Sequence, residues 1–222
     1  GLNGVGVARW DIANSTWLTT WTTSNVLDNG NQFVTSMIED IRPGFIWIGG
    51  EDGFQLINTS TGAEAYDIET SNSLYVGNGD PYDLTLYGYT MYYHQGASSD
   101  SIYGIDVGNF TAITPLDAGQ EVNENGGDVV GMTIVGDTLF ASVVSGQWWN
   151  QDGSGGIAQY DLPSSSWNTS ILPEGAVDRV TAFNSSTGHT WISWGEIGLE
   201  VYSPSGTKLG SWDTLSFPVR EI

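Results

Sequence analysis

Val34-Thr-Ser-Met-Ile-Glu-Asp40, then Ile46-Trp-Ile-Gly-Gly-Glu-Asp-Gly-Phe-Gln-Leu-Ile-Asn58, is the stretch that decides the fold. Three short apolar runs, each too brief for a helix and rich in β-branched and aromatic residues, are separated by Pro/Gly and Glu-Asp-Gly punctuation. They read as three consecutive strands, A, B and C, and a fourth, D, follows around Tyr66. The same order recurs along the chain. Strand A returns as Asp83-Leu-Thr-Leu86, Val129-Val-Gly-Met132, Val180-Thr-Ala-Phe183 and Val219-Arg-Glu-Ile222. Strand B returns as Met91-Tyr-Tyr-His94, Leu139-Phe-Ala-Ser142 and Trp191-Ile-Ser-Trp194. Strand C appears as Gly6-Val-Ala-Arg-Trp-Asp11, Ser101-Ile-Tyr-Gly-Ile-Asp106, Gly156-Ile-Ala-Gln-Tyr-Asp161 and Gly198-Leu-Glu-Val-Tyr-Ser203, and strand D lies near Trp17, Phe110, Trp167 and Leu209.

The spacings between strand C copies are 47, 48, 55 and 42 residues. Four strands in that period are the pattern of a β-propeller blade, a twisted antiparallel sheet that buries its faces against its neighbours. The expected fold is therefore all-β: a propeller of four-stranded antiparallel blades, about five in number, with 1–222 as one domain. The blade boundaries read 1–27 (partial), 28–76, 77–122, 123–173, 174–214 and 215–222, the last starting or closing a blade. A shared first and last blade would have A, C and D but no evident B, leaving two unpaired edges. That favours a piece of a larger propeller over a closed ring of five.

Residues 31–67, carried by Ile46-Trp-Ile-Gly-Gly-Glu-Asp-Gly53-Phe, resemble the repeat of two-component-regulator-type propellers of exported bacterial and archaeal proteins, and Thr190-Trp-Ile-Ser with Gly198-Leu follows it loosely. The resemblance implies an extracellular sensor-like or adhesin-like propeller and carries no catalytic residues. Trp10-Asp11 and Trp212-Asp213 lack the Gly-His partner of a WD40 blade.

Composition narrows the function. Five Lys and Arg stand against 26 Asp and Glu, for a formal charge of -21. Such a surface repels phosphate backbones and anionic lipid, excluding nucleic-acid and membrane-surface binding, and it keeps the chain soluble without a partner. No run of about 18 apolar residues exists to insert in a bilayer. Zero cysteine removes a disulfide framework, a thiolate metal site and a cysteine nucleophile. Sparse lysine points to an archaeal or marine bacterial source and an extracellular or cell-surface location. Sequons at Asn14, Asn58, Asn109, Asn168 and Asn184 are candidate glycosylation sites, although Ser, Thr and Asn also suit turns.

Strand alternation sorts the loops. B–C and D–A loops gather at one end of each sheet, A–B and C–D loops at the other. The first end collects Glu51, Asp52, His94, Trp148, Trp149, Asp152, Asp178, Trp194 and Glu196 as the expected ligand-binding face, and its D–A loops add Asp28, Asn31, Asp80, Glu124 and Asp128 beside them. Paired tryptophans beside Asn150 and Gln151 suit stacking on a sugar ring or anchoring a protein partner, against the plainer reading that they pack on a neighbouring blade. His94 reads as a solvated loop histidine. Oxygen-rich turns such as Asp152-Gly-Ser-Gly-Gly and Asp28-Asn-Gly-Asn could take Ca²⁺ but match no EF-hand loop and read as ordinary turns. No other cofactor or metal is expected.

The reading is a non-catalytic extracellular recognition or scaffold propeller for a carbohydrate or protein. One alternative is a glycan-active enzyme using paired carboxylates among Glu51, Asp178 and Glu196. The other is a purely structural module of a large surface protein. His94 and His189 fall at opposite blade ends, no G-x-S-x-G elbow occurs, and no catalytic residue is assigned.

Overall fold

The computed structural model describes residues 6–22, 25–27, 33–51, 53–69, 72–77, 79–95, 99–119, 128–144, 155–172, 179–184, 187–193, 199–203 and 207–212. Among these the protein is all-β, without a helix, and antiparallel throughout its registered pairs. The first hairpin joins β1 (Trp10–Asp11) to β2 (Thr16–Trp17). Three sheets then hold four strands each in chain order. They are β3 (Val34–Glu39), β4 (Phe45–Gly50), β5 (Gly53–Asn58) and β6 (Glu64–Glu69); β12 (Asp128–Val135), β13 (Thr138–Val144), β14 (Gly155–Asp161) and β15 (Ser166–Leu172); and β16 (Arg179–Asn184), β17 (His189–Ser193), β18 (Leu199–Tyr202) and β19 (Lys208–Trp212). A further sheet orders β7 (Pro81–Tyr87), β8 (Thr90–Gln95), β9 (Ser101–Asp106) and β10 (Thr111–Ala112), and β11 (Leu116–Asp117) also pairs with β9.

From 34 to 212 the described strands follow the order of the repeat, while the last expected strand, Val219–Ile222, lies outside the described residues; local chemistry explains the turns. Two-residue A–B turns begin with Gly88 and Gly136, both at φ 57, which hairpins of this length need and glycine supplies without strain. Four of the C–D turns are four-residue loops whose last residue is left-handed: Ser15 (φ 51), Gly62 (φ 71), Phe110 (φ 54) and Ser165 (φ 52). A carboxylate or amide on the residue just before each loop caps it. Asp11 accepts from the Asn14 N–H at 3.0 Å, Asp106 from the N–H groups of Gly108 (2.8 Å) and Asn109 (3.0 Å), Asp161 from the Ser164 N–H at 2.8 Å, and Asn58 from Ser60 and Thr61, both at 3.0 Å. The Asn14 side-chain amide holds the Asp11 carboxyl below its ordinary pKa; the backbone N–H of Asn109 does so for Asp106, and the Ser164 hydroxyl for Asp161.

The first strands share an irregularity. Register slips between Val34 and Ser36 in β3, between Val129 and Gly131 in β12 and between Val180 and Ala182 in β16. A bulge at one repeated place bends the strand and strengthens its twist. At the matching place in β7, Asp83 is left-handed (φ 48).

Contacts divide the chain into two compact units, Gly1–Tyr93 with Tyr103–Thr114, and His94–Ile102 with Pro115–Ile222. In the first, Trp47, Ile48, Phe54, Leu56, Ile57 and Ile68 are buried, and Val7, Trp21 and Leu27 pack against Ile48 and Ile57. β5 is buried at Gly53 through Ile57 on both faces rather than alternately, so this strand is covered on each side. The strand β6, by contrast, is mostly exposed or half-buried. β7 runs beside β3, where the Leu84 N–H donates to Ser36 Oγ at 2.8 Å and the Thr35 hydroxyl donates to the Pro81 carbonyl. Tyr66 stacks on Phe110 at 3.9 Å between centroids, and Phe54, Tyr75, Tyr93 and Tyr103 form a second aromatic group. Burial pushes the Tyr93 phenol pKa up, while its oxygen exchanges hydrogen bonds with the backbone of Val76.

In the second unit β12 runs beside β16, and Val129, Leu139, Val143, Ile157 and Val201 are buried. At the outer end of its last sheet, Tyr202 donates to Glu200, which also pairs with Lys208.

Candidate functional site

The two-residue turn between β4 and β5 follows from the Gly50–Gly53 pairing, and it places Glu51 in the open. His94 lies elsewhere. It was expected in an exposed loop, but β8 continues through Gln95, and burial along β8 runs unbroken from Met91 to Gln95. The strand outlasts the apolar run, so its last two residues carry polar side chains inward. Asp128 is likewise not a loop residue: it opens β12 and is buried. Asp52, Trp148, Trp149, Asp152, Asp178, Trp194 and Glu196 fall outside the described residues, as do the Asp28-Asn-Gly-Asn turn and the first three residues of Asp152-Gly-Ser-Gly-Gly, whose last two, Gly155 and Gly156, open β14. Of the expected contact face, then, Glu51 is placed at an exposed turn and His94 is withdrawn from the surface.

Among the sequons, Asn14 and Asn109 occupy the third position of C–D loops and are exposed, with their side-chain amides donating to Asp11 (2.8 Å) and Asp106 (3.0 Å). Asn58 ends β5 and is half-buried, Asn168 sits inside β15 opposite Gln159, and Asn184 ends β16 opposite His189. Among the described residues, no three of His, Cys, Asp and Glu come together as metal ligands.

Two features have no counterpart in the sequence reading. The first is an exposed aromatic pair. Trp10 and Trp17 face each other across the first hairpin with centroids 5.0 Å apart at 70°, and they are 46% and 70% exposed. Tyr160 and Trp167 repeat the arrangement on β14–β15 at 5.0 Å and 69°, but half-buried. In the sequence both pairs look like ordinary core aromatics; the signal was their placement one residue outside the pairs that close the two loops, Asp11–Thr16 and Asp161–Ser166. Arg9 braces the first hairpin by stacking 4.2 Å over Trp21 and donating to the carbonyls of Thr19 and Thr59.

The second is a buried carboxylate. Asp40 leaves β3 with its side chain wholly inaccessible. Its Oδ1 accepts from Arg42 Nε at 2.5 Å and from the Arg42 N–H at 2.8 Å, and its Oδ2 accepts from Arg42 Nη2 at 2.9 Å and from the indole N–H of Trp47 at 2.6 Å. Burial works to raise this carboxyl, but the bonds from Arg42 and Trp47 and the guanidinium charge outweigh it, so the pKa lies below the ordinary value. Three of these bonds come from Arg42 in the A–B loop and the fourth from Trp47 in β4, so the cluster ties that loop to β4 and leaves no side open to a substrate.

No protein family matches the chain, and no curated protein is significantly similar to it.

Proposed function

We propose that the chain is a β-propeller of about five blades that recognises an extracellular partner, a carbohydrate or a protein, without catalysing a reaction. The observation that carries the architecture is the side-by-side placement of first strands, β3 with β7 and β12 with β16, in sheets that all run A to D in chain order. Strands that start each sheet and neighbour one another are what sheets radiating from a common axis require. The bulge repeated in β3, β12 and β16 supplies the twist that such radiating sheets need. The resemblance of residues 31–67 to exported regulator-type repeats and the -21 charge support an extracellular or surface setting.

Recognition falls to the end of the sheets that bears the B–C and D–A loops. Glu51 is exposed there, and the longest B–C segment carries Trp148-Trp149-Asn150-Gln151-Asp152. Aromatic planes flanked by amide and carboxylate groups suit neutral sugar rings or a partner's apolar anchor. The double variant Trp148→Ala/Trp149→Ala is expected to weaken a ligand found on glycan or protein arrays by at least about 30-fold, the loss of about 2 kcal/mol that marks a hot spot. Its melting temperature should stay close to that of the wild type. Unchanged affinity, or a large fall in melting temperature, would assign the pair to packing.

A further inference from the structure

Five large apolar side chains project into solvent beside two of the C–D turns. At the first hairpin these are Trp10, Ile12 (85% exposed), Trp17 and Leu18; at the β9–β10 turn, Tyr89 is 63% exposed. Tyr89 belongs to that turn by contact: its carbonyl accepts from the Val107 N–H at 2.8 Å, and a Cβ placed on Gly108 would come within 2.9 Å of its ring. Each turn also carries an exposed sequon asparagine. Asn14 and Asn109 hold the same loop position, each is followed by a left-handed residue, and each has an exposed threonine two residues on, Thr16 and Thr111. Clustered apolar groups on a surface mark a place that another group covers, and here each turn holds an attachment point for one in the same loop.

We propose that Asn14 and Asn109 are acceptors for N-linked oligosaccharide, and that the attached sugar lies over the exposed apolar side chains of its own turn. The donor is a lipid-diphosphate-linked oligosaccharide. A bond forms between the asparagine Nδ2 and the anomeric carbon, the bond from that carbon to the diphosphate oxygen breaks, the lipid diphosphate leaves with the electron pair, and one Nδ2 proton passes to solvent. The second Nδ2 hydrogen remains, so the bond to Asp11 Oδ2 or Asp106 Oδ2 survives modification. The Trp10–Trp17 pair, edge to face and exposed, offers aromatic surface to the C–H side of a pyranose. Asn58 is the internal contrast. It stands at the capping position held elsewhere by Asp11 and Asp106, it is half-buried, and its Oδ1 accepts from two backbone N–H groups. It is not an acceptor.

In nature this modification rests on the exported setting proposed above, so the test imposes the route instead. The chain, fused to a secretion signal, is produced in a host that N-glycosylates secreted proteins, beside Thr16→Val and Thr111→Val. Each variant removes one sequon hydroxyl while keeping a β-branched side chain and the asparagine–aspartate bond. Peptide mapping is expected to find sugar on Asn14 and Asn109 and none on Asn58, with Thr16→Val losing only the first and Thr111→Val only the second. Acrylamide should quench tryptophan fluorescence less in the glycosylated wild type than in Thr16→Val. Bare Asn14 and Asn109, equal occupancy at Asn58, or equal quenching would overturn the inference. None of these results would touch the recognition reading, which stands or falls on ligand binding by the Trp148 and Trp149 variants.

Discussion

Gly53→Ala is expected to destabilise the protein by about 3 kcal/mol or more, seen as a fall in melting temperature of roughly 6–12 °C for a chain of this size. Gly53 has φ 122, a conformation essentially restricted to glycine, and a Cβ built there would sit 2.0 Å from the Ile68 carbonyl oxygen. That atom is backbone and cannot swing aside, so β5 and β6 would have to separate where their ladder begins. Gly6, one repeat earlier, has φ 113 and the same conflict, 1.9 Å from the Trp21 carbonyl oxygen. Gly88→Ala is the control. Its φ is 57 and nothing lies within 4 Å of the added carbon, so only the left-handed backbone cost of about 1–2 kcal/mol remains. Equal melting temperatures for the two variants would show that the close approach of strands C and D is not a structural requirement.

Arg42→Ala should cost about 2 kcal/mol at neutral pH. A buried pair broken from one side leaves its charge poorly compensated, and the figure is held down because the Arg42 side chain is 43% exposed and screened by solvent. The pH dependence gives the claim its sign. The Asp40 carboxyl is held below its ordinary value in the folded protein, so its contribution is complete above the unfolded carboxyl range and disappears as pH falls through the lower, folded value. The gap in melting temperature between wild type and Arg42→Ala is therefore expected to be widest near pH 6–7 and to close in acid, as protonation removes the ion pair from the wild type and the uncompensated carboxylate charge from the variant. A gap that stayed constant down to about pH 3 would show that Arg42 acts by packing its side chain and not through the Asp40 charge.

The strand plan was legible because it rests on sterics that sequence displays. A glycine opens strand C where a side chain would strike strand D, and an Asp or Asn closes it where the turn needs an acceptor; Gly53 and Asp106 announce both. The extra strand β11 was not legible, since Leu116–Asp117 is two residues long and gains its place from pairing with β9 rather than from any pattern of its own. His94 was misplaced because the end of β8 is set by its pairing in the sheet, which extends past the apolar residues Met91 to Tyr93. The Asp40–Arg42–Trp47 cluster escaped notice because a carboxylate two residues before an arginine is unremarkable until the strand curls the pair over a buried indole. Exposure of Trp10 and Trp17 was equally hidden: tryptophan in a strand reads as core, and only the placement of neighbouring elements decides which of its faces is covered.

The arrangement of the sheets around a common axis is the claim on which the proposed function rests, and the absence of cysteine from the chain makes it directly measurable. Spin labels at Met37→Cys on β3 and Phe183→Cys on β16 mark matching positions in the first strands of the first and last complete sheets. With neighbouring sheets about 10 Å apart, five blades closed around one axis put those backbone positions about 16 Å apart, whereas sheets stacked in a straight row put them about 30 Å apart. A pulsed dipolar distance near the shorter value, after allowance for the label arms, is the predicted result. A distribution centred at the longer one would contradict the propeller.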